Sequence, residues 1–227
     1  MKAKAYRGGK NKGWRSGIFL ITLMTGLVFA SYLYGEDEGV KAGPQVKTAA
    51  RANYASLVEK MTQKKKLYSI QSFDTLLDVR ALYKSWTVRS AFVEEYSALS
   101  LLSEQQKAKL QTEEEQAAKE GEEFLIAIYT TDEEWADLSK KDPVWRLYLY
   151  DDHNNRLEPK SIHKTSVSSA TVWKFYPQIS PWTKVYKVTF PKNLPPSSSP
   201  LVGPDTKRIK LIFAGILGRA ELEWDLK

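Results

Sequence analysis

Carboxylates are the first side chains here whose spacing could do chemistry. Asp132, Glu133, Glu134, Asp137 and Asp142 crowd one acidic stretch. Two carboxylates flanking a sugar bond can hydrolyse a glycoside, and several carboxylate oxygens can hold calcium. The same residues also fit a plainer role. Thr131 and Glu134 form the spacing of a capping box, and Asp132 and Glu133 suit a helix N-terminus. The stretch is therefore read as a short helix or loop. A glycosidase or metal-dependent hydrolase built on Asp132, Glu134 and Asp137 ranks behind the binding functions below, because no partner set accompanies them.

Other catalytic types are scarce. The two histidines, His153 and His163, fall at opposite ends of one expected hairpin and cannot meet over a zinc ion. Asp151-Asp152-His153-Asn154-Asn155 lacks the spacing and the closing glutamate of a calcium loop, and reads as a tight turn. There is no cysteine, which excludes disulfides, thiolate chemistry and cysteine-ligated zinc. No G-x-S-x-G elbow, P-loop or G-x-G-x-x-G is found. No catalytic residue, cofactor or metal site is assigned.

The most unusual segment is aromatic. Trp173-Lys174-Phe175-Tyr176-Pro177-Gln178-Ile179-Ser180-Pro181-Trp182 places four aromatic rings and two prolines in ten residues. Trp173, Tyr176 and Trp182 are the candidate ligand or partner surface, since flat rings cover sugar faces and anchor protein partners. The competing role is burial, with the rings plugging the open end of a sandwich and the prolines fixing the chain path.

Those residues must be positioned by something, and the charge distribution says where it sits. The net charge is +7, from 34 basic and 27 acidic residues. Six of the basic residues (Lys2, Lys4, Arg7, Lys10, Lys12, Arg15) precede any acid; without them 28 basic residues face 27 acidic ones, a net of +1. The body therefore lacks the cation surplus that a nucleic-acid face needs, and nucleic acid is excluded as a partner. The basic leader runs into Ile18–Tyr34, an apolar stretch of 17 residues without an acid. The positive-inside rule exports everything after it. As an anchor the stretch reaches the lower length bound for a spanning helix and would be the membrane contact. As a signal peptide it would be cleaved after Ala30, with Val28 at the −3 position.

Along the body, helical and strand periods alternate. Residues 36–66 read as a linker followed by an amphipathic helix with Tyr54, Leu57, Val58 and Met61 on one face, closed by Lys64-Lys65-Lys66. Residues 67–227 read as the folded domain. Within it, Ser85 or Thr87 caps one helix and Ser103-Glu104-Gln105-Gln106 opens a second, an α-helical hairpin inserted at about 86–120. Period-two or doubly apolar runs predict strands near 77–84, 124–130, 145–150, 156–164, 184–190, 208–213 and 220–226. About seven short strands with turn signals between them resemble an immunoglobulin-like β-sandwich in architecture. The expectation is thus a mainly β chain, preceded by a transmembrane or signal helix. Its expected role is non-catalytic, as an envelope module that binds a protein or polysaccharide, inner-membrane anchored or released outside the membrane.

Overall fold

The computed structural model describes residues 46–166, 170–195 and 199–227. Ile18–Tyr34 and the possible cleavage site lie outside the described residues. The body opens with α1 (Val46–Lys60), then β1 (Thr62–Tyr68) and β2 (Thr75–Tyr83). The inserted hairpin is α2 (Trp86–Leu99) and α3 (Glu104–Glu120). Then come β3 (Gly121–Tyr129), β4 (Arg146–Asp151), β5 (Arg156–Leu157) and β6 (Ser161–Thr165). Short α4 (Ala170–Phe175), β7 (Lys184–Pro191), β8 (Arg208–Gly215) and β9 (Gly218–Asp225) complete it.

The protein is mainly β, in two antiparallel sheets. One has five strands in the order β1-β2-β3-β7-β6, and the other has four in the order β5-β4-β8-β9. The alternation seen in the sequence decides which faces meet. Leu77, Val79 and Ala81 of β2, Phe124, Ile126 and Ile128 of β3, and Tyr186, Val188 and Phe190 of β7 point to the interior between the sheets. Leu147, Leu149, Ile209, Leu211, Phe213, Leu222 and Trp224 meet them from the second sheet. Burying each such side chain stabilises by about 1.5–3 kcal/mol.

The other face of the five-stranded sheet explains why β3 is apolar on both sides. Leu82, Leu125, Ala127 and Val185 there lie under Tyr54 and Val58 of α1, Val88 of α2, and Phe175 and Ile179 around α4. Helix α2 starts where expected, with the Ser85 hydroxyl accepting from the Val88 N–H. Helix α3 starts with the full Ser103/Gln106 capping box.

Two strand assignments differ from the sequence reading, and α4 has no counterpart in it. Lys64-Lys65-Lys66, taken as the end of the first helix, lies in β1, paired with Arg80, Val79 and Asp78 of β2. Helical burial stops at Met61, and β1 is an outer strand of its sheet, where lysines keep the open edge soluble and unpaired. The single returning strand expected at 156–164 is two strands in different sheets. Pro159, with no N–H to give to a ladder, falls between β5 and β6 where the chain crosses over.

Candidate functional site

Strand register brings together residues that are far apart in the sequence. Lys66 of β1 faces Asp78 of β2, which faces Tyr129 of β3. The next pair along, Ile128 with Lys184, places Thr183 and Trp182 beside Tyr129 and Thr130. The β1–β2 turn, Ser69 to Asp74, projects beyond this row. The β8–β9 turn reaches the same end, because Arg146 at the start of β4 pairs with Ala214, and a Cβ on Gly218 would lie 3.5 Å from Leu67.

This end is apolar. Among the described residues nine large hydrophobic side chains are exposed: Tyr68, Ile70, Phe73, Trp86, Leu99, Leu101, Tyr129, Trp182 and Ile216. Six of them (Tyr68, Ile70, Phe73, Tyr129, Trp182 and Ile216) belong to that one end. At about 4.8 Å between strands, β1 to β7 spans about 14 Å across it. Ile70 is 92% exposed and Phe73 is 87% exposed. Their turn is specifically built. Ser69 donates its N–H to the Asp74 carbonyl, Phe73 donates to the Ser69 carbonyl, and Ser72 donates to the Ser69 hydroxyl. Phe73 takes φ 57°, a left-handed conformation unfavourable for a bulky side chain.

Trp182 is fixed outward by its own turn. In Ser180-Pro181-Trp182-Thr183 the proline presets the φ of the second position. Thr183 donates its N–H to the Ser180 carbonyl, and Trp182 donates its N–H to the Ser180 hydroxyl. The ring is 80% exposed. Between it and Tyr129 runs a groove of about 400 Å³, floored by Ala127 and bordered by Asp78, Arg80, Ser180 and Thr183. Arg80 is held by donating to the Gln178 carbonyl at 2.8 Å, and Asp78 pairs with Lys66 at 2.9 Å.

The three candidate aromatics do not share one surface. Trp182 borders the groove, whereas Tyr176 is half-buried against the cluster beneath α1 and α2. Burial pushes the Tyr176 hydroxyl above the usual tyrosine range, and the carboxylates of Glu114 and Glu123 add to this. Phe175 packs between Tyr54, Phe92 and Tyr96. The Trp173 side chain lies outside the described residues.

The acidic stretch folds into consecutive turns. Asp132 Oδ1 accepts the Glu134 N–H, and Glu134 pairs with Lys140. Asp137 accepts from the Ser139 N–H and hydroxyl and from the Tyr186 hydroxyl. The Ser139 hydroxyl in particular holds the Asp137 carboxyl below its usual range. Tyr186, in turn, is pushed up to about 12, chiefly by burial and then by the Asp137 charge. The bonds within the stretch close its turns, and the one from Tyr186 ties it to β7.

Asp151, Asp152 and His153 bring ligand atoms within 4.8 Å of one another. The Asp151 carboxylate is already engaged, accepting from the His153 and Asn155 N–H groups and from the Asn155 amide. Asn154, at φ 63°, makes this the tight turn that its residue types foretell. The outer face of the four-stranded sheet is charged but self-neutralising, with Arg208, Lys210 and Arg219 paired to Glu221, Glu223 and Asp225.

One ionic cluster is buried. Arg89, 1% exposed, lies between Glu114 of α3 and Glu123 of β3, and Lys84 contacts both carboxylates. Burial opposes the charge on Glu123, but the Lys84 and Arg89 cations outweigh it and hold that carboxyl below its usual range. This cluster ties the helical hairpin to the sheet.

Sequence reasoning singled out Trp182 and missed Ile70, Phe73, Tyr129 and Ile216 as parts of one surface. An isoleucine and a phenylalanine within the turn-rich Ser69-Ile70-Gln71-Ser72-Phe73-Asp74 were the available signal. No helix among the described residues is long and apolar enough to cross a membrane. No known protein family, curated protein or solved structure matches this chain.

Proposed function

We propose that the chain is an exported, membrane-proximal, non-catalytic binding or assembly module of the cell envelope. The observation that carries this reading is the gathering, at one end of the domain, of six of the nine exposed large hydrophobic residues among those described. Contiguous exposed apolar surface of this kind marks an interaction site. The basic leader and Ile18–Tyr34 supply the export and anchoring half of the reading. On this reading the sandwich is immunoglobulin-like. The order β2-β3-β7-β6 against β5-β4-β8-β9 parallels A-B-E-D against C′-C-F-G, with β1 and the helical hairpin as additions. Trp145, fully buried just before β4, supports it as the counterpart of the strand-C tryptophan.

The test is topology together with capture. Because the chain has no cysteine, Lys160→Cys is a unique thiol. It should react with an impermeant maleimide on spheroplasts. Labelling only after lysis would refute export. A photo-crosslinker at Trp182 should give discrete envelope adducts in cells.

The groove favours a second reading, carbohydrate binding. An exposed indole opposite a tyrosine, with Arg80, Asp78, Ser180 and Thr183 at its border, suits the apolar face and hydroxyls of a sugar ring. Retention on peptidoglycan or envelope polysaccharide that Trp182→Ala abolishes would establish it. Equal retention of the two proteins would exclude it.

A further inference from the structure

The apolar end carries more than a general promise of interaction, because the path of the chain says what faces it. Helix α1 ends at Lys60, at the opposite end of the five-stranded sheet, where Thr62 pairs with Leu82. Going back along α1, Val58 lies at that row, its carbonyl accepting from the Thr62 hydroxyl. Tyr54, one turn earlier, donates its hydroxyl to the Phe175 carbonyl. Three residues after Phe175, the Gln178 carbonyl binds Arg80, two positions along β2 from Leu82. The helix therefore climbs toward the apolar end as it runs back to Val46. Gly35–Gln45 separates Val46 from the apolar run Ile18–Tyr34 by eleven residues, a reach of at most about 40 Å.

We infer that the end of the sandwich carrying Ile70, Phe73, Trp182 and Ile216 seats on the lipid bilayer in which the chain is anchored. The occupant is the interfacial layer of the membrane itself. This rests on the anchored, exported reading above and names the partner of that same surface. The residue types suit such an occupant. Tryptophan and tyrosine at the base of the end belong at the headgroup level, where an amphipathic ring has one side apolar and the other wet. Ile70 and Phe73, on the turn beyond the last β1–β2 pair, would enter the acyl boundary. Exposed charges near this end are of both signs, Lys64 and Lys65 on β1 and Asp132 and Glu133 on the loop after β3, so the seating rests on the apolar side chains rather than on charge. A sugar in the groove would account for Trp182 and Tyr129 but would leave Ile70, Phe73 and Ile216 without a role.

The full chain is reconstituted into vesicles of phosphatidylethanolamine and phosphatidylglycerol with an environment-sensitive fluorophore on a single introduced cysteine. Ser72→Cys places the probe between Ile70 and Phe73 with both retained. Lys160→Cys, beside the Ser161–Thr189 pair at the opposite end, is the control. The Ser72→Cys probe should show blue-shifted emission and lose most of its intensity to doxyl-labelled lipid, while the control responds only to aqueous iodide. Adding Ile70→Glu and Phe73→Glu, both exposed and so harmless to the core, should return the Ser72→Cys probe to water.

A chain that floats with the vesicles while its Ser72→Cys probe behaves like the control overturns the docking alone. A chain that fails to float overturns the anchored reading as well. A Ser72→Cys probe shielded from both quenchers means that a second copy covers the surface, which also overturns the inference.

Discussion

Arg89 offers the sharpest test of how the helical hairpin is held to the sheet. Its guanidinium is 1% exposed; Nε donates to the Lys84 carbonyl at 3.1 Å and Nη1 to Glu114, with Nη2 3.3 Å from a Glu123 oxygen. With Lys84, two cations face two carboxylates, and the cluster is neutral. Arg89→Met keeps most of the side chain's bulk and leaves one uncompensated negative charge in a nearly dry site. Breaking a buried pair from one side costs about 3–5 kcal/mol. Glu114 retains 15% side-chain exposure, so some water can relax around it and the lower part of that range applies. With a urea slope of about 2 kcal/mol per molar, the unfolding midpoint should fall by about 1.5–2 M. Arg89→Met with Glu114→Gln restores neutrality and should recover at least half of that loss. Loss of the Arg89 cation also lets the Glu123 carboxyl rise toward its ordinary range, so the share of the acid dependence that Glu123 supplies should shrink. A midpoint within about 0.3 M of wild type, or a double variant worse than the sum of its singles, would refute the account of a charge-balanced clamp.

Other consequences are simpler. Gly121→Ala should destabilise by about 1–3 kcal/mol, read in thermal melts, because its Cβ would overlap the Phe190 carbonyl of β7 and push two central strands apart. Tyr54, Tyr83 and Tyr176 all have hydroxyls raised above the usual range, burial being the first cause in each. A raised folded-state pKa makes their contribution full below about pH 10 and lost as pH rises beyond it, at up to about 1.4 kcal/mol per tyrosine per pH unit. Urea midpoints measured across that range should fall steeply, and Tyr83→Phe should flatten the fall. Glu123 works in the opposite sense. Its lowered pKa contributes stability above about pH 4.5 that disappears as pH drops below, so Glu123→Gln should weaken the acid dependence.

Much of the fold was legible in local pattern. Leu77, Val79 and Ala81 recur with period two and all face the interior, because successive strand side chains alternate between faces. Phe124 to Ile128, apolar on both faces, lies between the second sheet and the helices as such a run should. Ser85, Ser103 and Gln106 mark helix starts because capping satisfies backbone donors within a few residues. Where the sequence misled, long-range pairing overrode local pattern. Lys64-Lys65-Lys66 carries no period that distinguishes a helix end from an edge strand, and only its ladder with β2 makes it one. Pro159 signals an interruption, but not that the two halves belong to different sheets.

The candidate site shows the same division. The sequence by itself determined the residue types that want an interface, the absence of a thiol, and the concentration of excess positive charge in the leader, because these are counts and neighbours along the chain. It also marked Trp182, where Ser180 and Pro181 build a turn within four residues. That Trp182 stands with Tyr129, Ile70, Phe73 and Ile216 while Tyr176 turns inward was decided by tertiary structure alone. The register of β1, β2, β3 and β7, and the return of the β8–β9 turn beside Leu67, bring together segments up to about 150 residues apart. Hydrophobicity does not choose which apolar residues are left outside. The order of the strands does.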